Sequence, residues 1–128
     1  MIALYELEGT GGRRYSLFSW RARMALAHKG LEFETRPVLM SDKETIGFSG
    51  GKTVPVIRDG ETIVRDSWKI AEHLEVTHPK RPTLFGGAIG HCLCHTFNVR
   101  PERTLVPARL PCVVAALQAP VHPADPGS

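Results

Sequence analysis

The stretch from Tyr15 to Gly30, YSLFSWRARMALAHKG, constrains the fold more than any other part of the chain. Its apolar residues recur at helical spacing, and Gly30 after Lys29 is typical of a left-handed helix stop. Ser16 directly precedes the run as a good N-cap, so we expect the helix start to present Ser16, Ser19 and unpaired N–H groups that favour an anion. The predicted buried stripe consists of Leu17, Trp20, Met24 and Ala27, widened by Ala25 and Leu26.

Two predicted strands flank this helix. Ile2 to Leu7 is apolar at nearly every position, as in a strand covered on both faces, and Leu31 to Val38 alternates apolar with charged side chains. A strand, a helix and a strand in succession imply a right-handed crossover between parallel strands. The next stretch, Met40 to Gly47, predicts a short helix or turn with Ser41 or Asp42 as its cap.

A hairpin and a second helix complete the predicted domain. The apolar residues between Thr53 and Val64 flank Asp59-Gly60, a dipeptide that favours a tight turn between antiparallel strands. Asp66 and Ser67 then cap a helix from Trp68 to about Val76. The expected inner face of that helix consists of Ile70, Ala71 and Leu74. This order of elements predicts an α/β fold of the thioredoxin-like type, βαβ followed by ββα.

Composition and charge narrow the class of protein. A chain of 128 residues with 42% hydrophobic residues can bury one modest core. The net charge is +3, but the chain has no stripe of basic residues interleaved with aromatic residues, which argues against nucleic acid as a partner. We expect a cytoplasmic protein with no membrane partner, because the chain shows neither a signal-peptide pattern nor an apolar run of about 18 residues. Three late cysteines, Cys92, Cys94 and Cys112, fit a reducing compartment.

Three motifs in the right order carry a family resemblance. They are YSLFSWRARMALAHKGLEFE, KTVPVIRDGETIVRDSWKIAEHLE and HPKRPTLFGG. From about Ile2 to Gly90 the chain resembles the N-terminal domain of a glutathione S-transferase, and is most similar to bacterial and fungal members related to lignin β-etherases. The resemblance implies a thioredoxin-like glutathione-binding domain over residues 1–85. Residues 86–128 would be the truncated start of the all-helical C-terminal domain, ending in a disordered tail.

By this resemblance Ser16 is the catalytic residue. Its hydroxyl would donate a hydrogen bond to the sulfur of glutathione and lower the pKa of that thiol, without itself being the nucleophile. From the residues alone, Ser16 can also be explained as an ordinary N-cap with no catalytic role. Ser19 is the second candidate for the thiol contact. Because serine stands at both positions, thiol–disulfide exchange by the protein's own residues is disfavoured.

The resemblance also implies a set of glutathione contacts. Val54 would pair through its backbone with the cysteinyl unit, next to a cis bond to Pro55. Lys52 would meet a carboxylate of the tripeptide. Asp66 and Ser67 would bind the ammonium and the carboxylate of the γ-glutamyl end. Each of these features also has a simpler explanation. Pro55 can be a proline at the start of a strand, Lys52 a solvated lysine, and Asp66-Ser67 a helix cap, so only their occurrence together favours a binding site.

Two functions from different classes follow. In the first, the protein binds glutathione as co-substrate and activates its thiol for conjugation to, or ether cleavage of, a small hydrophobic electrophile. In the second, it is a non-catalytic glutathione-binding or protein-interaction module without an acceptor-substrate domain. A homodimer is a further expectation, since a partner or second copy could cover exposed apolar surface.

Other motifs are weaker. Gly50-Gly51-Lys52-Thr53 imitates a phosphate loop, but Ile46 stands where that motif needs glycine. The run from His91 to His95, HCLCH, imitates a metal site and would place both histidines on one helix face, but we expect no metal. His28 and His73 are expected to be surface or packing residues. Beyond Gly90 we expect helices from Ala88 to about Arg100 and around Cys112 to Gln118, with disorder from Ala119 to Ser128.

Overall fold

The computed structural model describes residues 1–14, 16–39, 41–42, 44–51, 53–100 and 103. Its regular elements are, in chain order, β1 (Ile2–Leu7), α1 (Leu17–His28), β2 (Phe33–Val38), β3 (Val56–Asp59), β4 (Thr62–Arg65), α2 (Ser67–Thr77) and α3 (Ala88–Arg100). Two short 3-10 segments, Thr10–Gly12 and Glu44–Ser49, lie in the connections. Before the second of these, the Asp42 carboxylate accepts a hydrogen bond from the backbone N–H of Thr45, 3.3 Å away.

The four strands form one mixed sheet in the order β2-β1-β3-β4. β1 pairs with β2 in parallel and with β3 antiparallel, and β3 and β4 form the antiparallel hairpin. The predicted thioredoxin-like arrangement is therefore confirmed. The main core lies between the sheet and the two helices α1 and α2, and its buried residues include Ile2, Leu4, Ala22, Ala25, Leu26, Ile57, Ile70 and Leu74.

Helix α1 begins and ends as predicted but buries a different face. Gly30 adopts φ 63°, and the amides of Gly30 and Leu31 donate to the carbonyls of Ala27 and Leu26, which is a Schellman stop. The predicted stripe was wrong for four of its six residues, because Leu17 and Met24 are 63% and 62% exposed and Trp20 and Ala27 are also exposed. Ala25 and Leu26 are buried, as predicted. Small side chains allow α1 to lie close to the sheet. The buried α1 residues are Ser19, Ala22, Ala25 and Leu26.

The hairpin forms, but its turn is shifted by one residue. Asp59 is the last residue of β3 and pairs with Thr62, so the two loop residues are Gly60 and Glu61, with Gly60 at φ 62°. Asp59 is held in the strand because its carboxylate accepts hydrogen bonds from two α2-side histidines, His73 at 3.0 Å and His78 at 3.3 Å. His73 is therefore a half-buried packing residue, which is one of the two roles predicted for it.

The predicted helix from Ala88 to about Arg100 is confirmed as α3. It packs on α2 through Trp68, whose ring centroid lies 5.3 Å from that of His91 and 5.2 Å from that of His95. Both histidines therefore share one helix face, as predicted. No helix in the described part of the chain is both long and apolar enough to span a membrane. The helix predicted around Cys112 to Gln118 and the tail from Ala119 lie outside the described residues.

Candidate functional site

Ser16 is the N-cap of α1. Its backbone is extended (φ −69°, ψ 117°), and its Oγ accepts a hydrogen bond from the backbone N–H of Ser19 at 3.3 Å. Its carbonyl accepts the first intrahelical bond from Trp20, at 3.0 Å. A hydroxyl can accept two hydrogen bonds and donate one, so this capping bond leaves the hydroxyl proton for a ligand.

Ser19 lies one turn further along the helix and faces inward. It is 1% exposed, and its Oγ has no hydrogen-bond partner among the described residues. A buried hydroxyl without a partner costs free energy, on the order of 1–3 kcal/mol. The two serines are thus not equivalent, because Ser16 is half-buried at the helix start and Ser19 lies beneath it.

The Val54-Pro55 peptide bond is cis, as the resemblance implied. Val54 is half-buried and Pro55 is buried, and the pair directly precedes β3. Lys52, the predicted carboxylate contact, lies outside the described residues.

Asp66 caps α2 in an unusual conformation. Its Oδ1 accepts a hydrogen bond from the backbone N–H of Trp68 at 2.8 Å, and its carbonyl accepts one from Ile70 at 2.9 Å. Its φ of 74° makes it the one non-glycine residue with positive φ in the described ranges. Ser67 follows as the first residue of α2 and is 6% exposed. Strained backbone of this kind often marks a functional position.

The strand register brings these residues to one edge of the sheet. Tyr5 of β1 pairs with Val56 of β3, and Val56 pairs with Arg65 of β4. One residue further towards the end of β1, the same register places Glu6, Pro55 and Asp66 side by side along the three neighbouring strands. β1 ends at this edge as well, and the chain leads from there through the Thr10–Gly12 turn to Ser16.

Next to this edge, α1 and α2 enclose a cleft of about 410 Å³. Met24 and Ala25 of α1 face Ser67 and Trp68 of α2 across it, and Phe85 closes one side. The cleft is mostly apolar, and Met24, which the sequence placed in the core, borders it.

Sequence reasoning missed two buried charges. Glu6 is 0% exposed and contacts Arg14 and Arg23. The signal was present, since a charged residue within a strand predicted to be covered on both faces requires a partner. Lys29 is also 0% exposed, and its Nζ donates to the Glu75 carboxylate at 2.6 Å.

The surroundings of Glu75 perturb its titration strongly. Burial alone would raise the pKa of Glu75, but hydrogen bonds from Lys29, Thr83 and the amides of Phe85 and Leu84 outweigh it and lower the pKa to about 2. This carboxylate therefore stays charged at every ordinary pH. Within the described residues, no group of three or more His, Cys, Asp or Glu side chains is placed to hold a metal ion.

The sheet order and the two helices packed on it define a thioredoxin-like domain in which α1 and α2 begin at Ser16 and Asp66. The family model of the glutathione S-transferase N-terminal domain matches residues 15–77. This part of the chain belongs to the glutathione S-transferase family.

Relatives and solved structures agree with this assignment. Glutathione S-transferase Z1 of Arabidopsis thaliana is 33% identical over 92 residues, which are 61% of this chain and 41% of that protein. Maleylacetoacetate isomerase of Dictyostelium discoideum is 32% identical over 77 residues, 55% of this chain and 35% of that protein. This chain therefore covers well under two thirds of either relative.

Among solved structures, a glutathione S-transferase of Ceriporiopsis subvermispora in complex with glutathione superposes with a TM-score of 0.84 at 26% identity. The match covers 95% of this chain and 54% of that one. Glutathione transferase GSTFuA3 of Phanerochaete chrysosporium gives the same TM-score and identity, and 55% of it is covered.

Proposed function

We propose that this chain binds glutathione along the sheet edge and that Ser16 activates its thiol for reaction with a small hydrophobic electrophile, by conjugation or by ether cleavage. The observation that carries the proposal is the strand register, which aligns Pro55 and Asp66 with the end of β1 that leads to Ser16. Adjacent strands lie about 4.8 Å apart, so the edge from β1 to β4 measures about 10 Å. An extended tripeptide has the same length, about 10 Å.

Ser16 would act on the proton of the thiol. Its hydroxyl donates to the glutathione sulfur while its oxygen keeps accepting from Ser19 N–H, and the positive end of α1 adds to the stabilisation of the anion. The thiol releases its proton to solvent, and the thiolate attacks an electrophilic carbon and forms a carbon–sulfur bond. The leaving group departs with the electron pair of the broken bond. Ser16 is not itself the nucleophile.

The remaining contacts would fix the peptide. Val54 pairs through its backbone with the cysteinyl unit, as an added strand does. Asp66 meets the γ-glutamyl ammonium with its carboxylate, which has capacity beyond its one capping bond. Ser67 and the N-terminus of α2 meet the adjacent carboxylate. Lys52 remains the proposed contact for a carboxylate of the tripeptide.

Calorimetric titration of glutathione into the wild-type protein and Asp66→Ala tests the binding half of the proposal. We expect binding by the wild type and at least tenfold weaker binding by the variant, because a charge-assisted hydrogen bond is worth about 1.5–3 kcal/mol. A folded wild-type protein that does not bind glutathione would refute the proposal.

The chemical half is tested by the pKa of the bound thiol, read from the ultraviolet absorbance of the thiolate. Ser16→Ala should raise this pKa towards about 8.5, the ordinary value of a cysteine thiol. Ser19→Ala is the matched control one turn away, and should leave the pKa unchanged. The reverse result would transfer the role to Ser19.

A second candidate function is a non-catalytic glutathione-binding or interaction module. The observation that favours it is the exposed apolar surface on α1 and α3. The exposed side chains are Leu17, Met24, Ile89, Leu93 and Phe97. Turnover with a generic electrophile separates the two candidates, because glutathione binding without turnover fits only the module.

A further inference from the structure

Glu6 is a fully buried carboxylate in a strand whose other inward residues are apolar. It follows Ile2 and Leu4 on the face of β1 that packs against α1 and α2. A charge removed from water persists only when other groups bind it closely. The structural role of Glu6 can therefore be inferred from the groups that bind its carboxylate.

Two arginines from different segments share this carboxylate. Arg14 Nε donates to Oε1 at 3.1 Å, and Arg23 contacts Oε1 through Nη2 and Oε2 through Nε, the latter at 3.4 Å. Arg14 belongs to the segment before Ser16, and Arg23 lies in α1. Glu6 thus connects β1, the segment that leads to Ser16, and the helix that Ser16 caps.

Further contacts hold the same segment. Arg14 Nη1 donates to the carbonyl of Gly12 at 2.8 Å and lies 3.4 Å from Glu8. The indole N–H of Trp20 donates to the carbonyl of Arg14 at 2.5 Å. Arg14 is therefore fixed by both its side chain and its backbone, and one residue separates it from Ser16.

We propose that Glu6 is a positioning residue for Ser16. Its carboxylate fixes Arg14 and Arg23 and thereby sets the start of α1 relative to the sheet edge of Val54-Pro55 and Asp66. Glu6 contacts no substrate and acts only through the place it gives the Ser16 hydroxyl. The role of Ser16 rests on the proposed function, while the connection between Glu6 and the segment does not. Small displacements of a catalytic group are costly, so this connection governs thiol activation.

The test compares Glu6→Gln with Glu75→Gln. Glutamine keeps the shape of the side chain but cannot hold two guanidinium groups as a carboxylate does. Glu75→Gln breaks an ion pair that also has one fully buried partner, Lys29, at the far end of α1. Lys29 lies 13 residues after Ser16, about 20 Å along the helix axis, which makes Glu75→Gln a matched control remote from Ser16.

Amide hydrogen exchange without glutathione is the first measurement. Protected amides report on the segment, since Gly9 donates to Arg13 at 2.8 Å and Trp20 to Ser16 at 3.0 Å. Glu6→Gln should speed exchange at residues 9–20 by about tenfold relative to the rest of the protein. Glu75→Gln should speed it around residues 78–86 instead. Equal acceleration everywhere, or none at residues 9–20, would overturn the proposal.

The pKa of bound glutathione is the second measurement, and a merely structural role would not change it. Glu6→Gln should raise the thiol pKa by about one unit, because the Ser16 hydroxyl is no longer fixed against the sulfur. Loss of a negative charge alone would lower this pKa, so an unchanged or lower value contradicts the positioning role. Glu75→Gln should leave it unchanged.

Two safeguards keep the outcomes separate. If the wild type does not bind glutathione, the proposed function fails, and the exchange measurement still decides whether Glu6 holds the segment. If Glu6→Gln does not fold, Arg14→Met replaces it, because Glu6 then keeps its contact with Arg23. Arg14→Met should speed exchange at residues 9–14 in the same selective way, and unchanged exchange there would refute the proposal.

Discussion

At the scale of single residues, Asp66 shows how stability and binding compete at this site. Its φ of 74° and ψ of 128° lie in a region that residues with a side chain rarely adopt. Such a conformation costs on the order of 1–3 kcal/mol. The capping bond to the amide of Trp68 offsets about 1 kcal/mol of that cost. The rest of that cost is compensated by the surrounding fold.

Asp66→Gly and Asp66→Ala should therefore differ in stability but not in binding. Alanine loses the cap and keeps the strain, whereas glycine relieves the strain and is tolerated as an N-cap. We expect the glycine variant to be more stable than the alanine variant by about 1 kcal/mol in urea unfolding, with glutathione affinity at least tenfold weaker in both. Equal stability of the two variants would show that the backbone of Asp66 is not strained.

At the scale of elements, local sequence signals such as helix caps and stops predicted most of the fold. Ion pairs between residues far apart in the sequence could not be predicted in this way. The caps at Ser16 and Asp66 and the stop at Gly30 depend on residues within a few positions, and all three are observed. The buried face of α1 was mispredicted because counting apolar side chains favours Leu17 and Met24. Close packing on the sheet instead selects small residues, and neighbouring helices are not visible in a local pattern.

The candidate site divides in the same way. The helix starts and the strand after Pro55 follow from the residues, and the cis bond followed from the family resemblance. The contacts of Glu6 with Arg14 and Arg23 and of Lys29 with Glu75 join residues up to 46 positions apart. No spacing rule connects such pairs, so only the folded chain reveals them.

Gly90 controls how α3 docks on the rest of the domain. A Cβ at this position would lie 2.9 Å from the carbonyl carbon of Phe85 and still closer to its oxygen. This backbone cannot rotate away as a flexible side chain can. The ring of Phe85 in turn packs on Trp68 and His91, with centroids 5.3 and 4.8 Å apart.

Gly90→Ala should therefore destabilise the protein, although alanine favours helices by about 1 kcal/mol over glycine. We expect a net loss of about 1–3 kcal/mol, as for other overpacked positions, with faster amide exchange confined to α3. Gly47→Ala is the control, because a Cβ there meets nothing within 4 Å. A Gly90→Ala variant that is more stable than wild type would mean that α3 does not pack against Phe85.

At the scale of the whole molecule, two carboxylates set the response to acid. Burial alone would raise the pKa of Asp59, but the hydrogen bonds from His73 and His78 outweigh it and lower the pKa. The pKa of Glu75 falls from 4.5 to about 2. Both values are lower in the folded than in the unfolded chain, so the unfolded chain binds more protons in acid. The stability contributed by both groups is therefore complete above about pH 5 and lost as the pH falls through the folded values.

Glu75 should dominate this loss. A shift from 4.5 to about 2 corresponds to about 3 kcal/mol, which the native protein gains near pH 7 and loses between about pH 4.5 and pH 2. We expect urea unfolding of the wild type to show this decrease and Glu75→Gln to show a smaller one, since glutamine does not titrate. The free-energy difference between the two proteins should thus be greatest near neutral pH and should shrink towards pH 2.

Glu34→Gln is the control for this titration, because Glu34 forms an ion pair with Arg36 in which the two side chains are 45% and 55% exposed. Exposed pairs contribute little, about 0–1 kcal/mol, so its stability should follow the wild type at every pH. If Glu75→Gln followed the wild type in the same parallel way, Glu75 would not be held by Lys29 and the amides of Leu84 and Phe85. The segment after α2 would then be joined to the end of α1 by its other contacts, among them the hydrogen bond from Lys29 Nζ to the carbonyl of Pro82 at 3.2 Å.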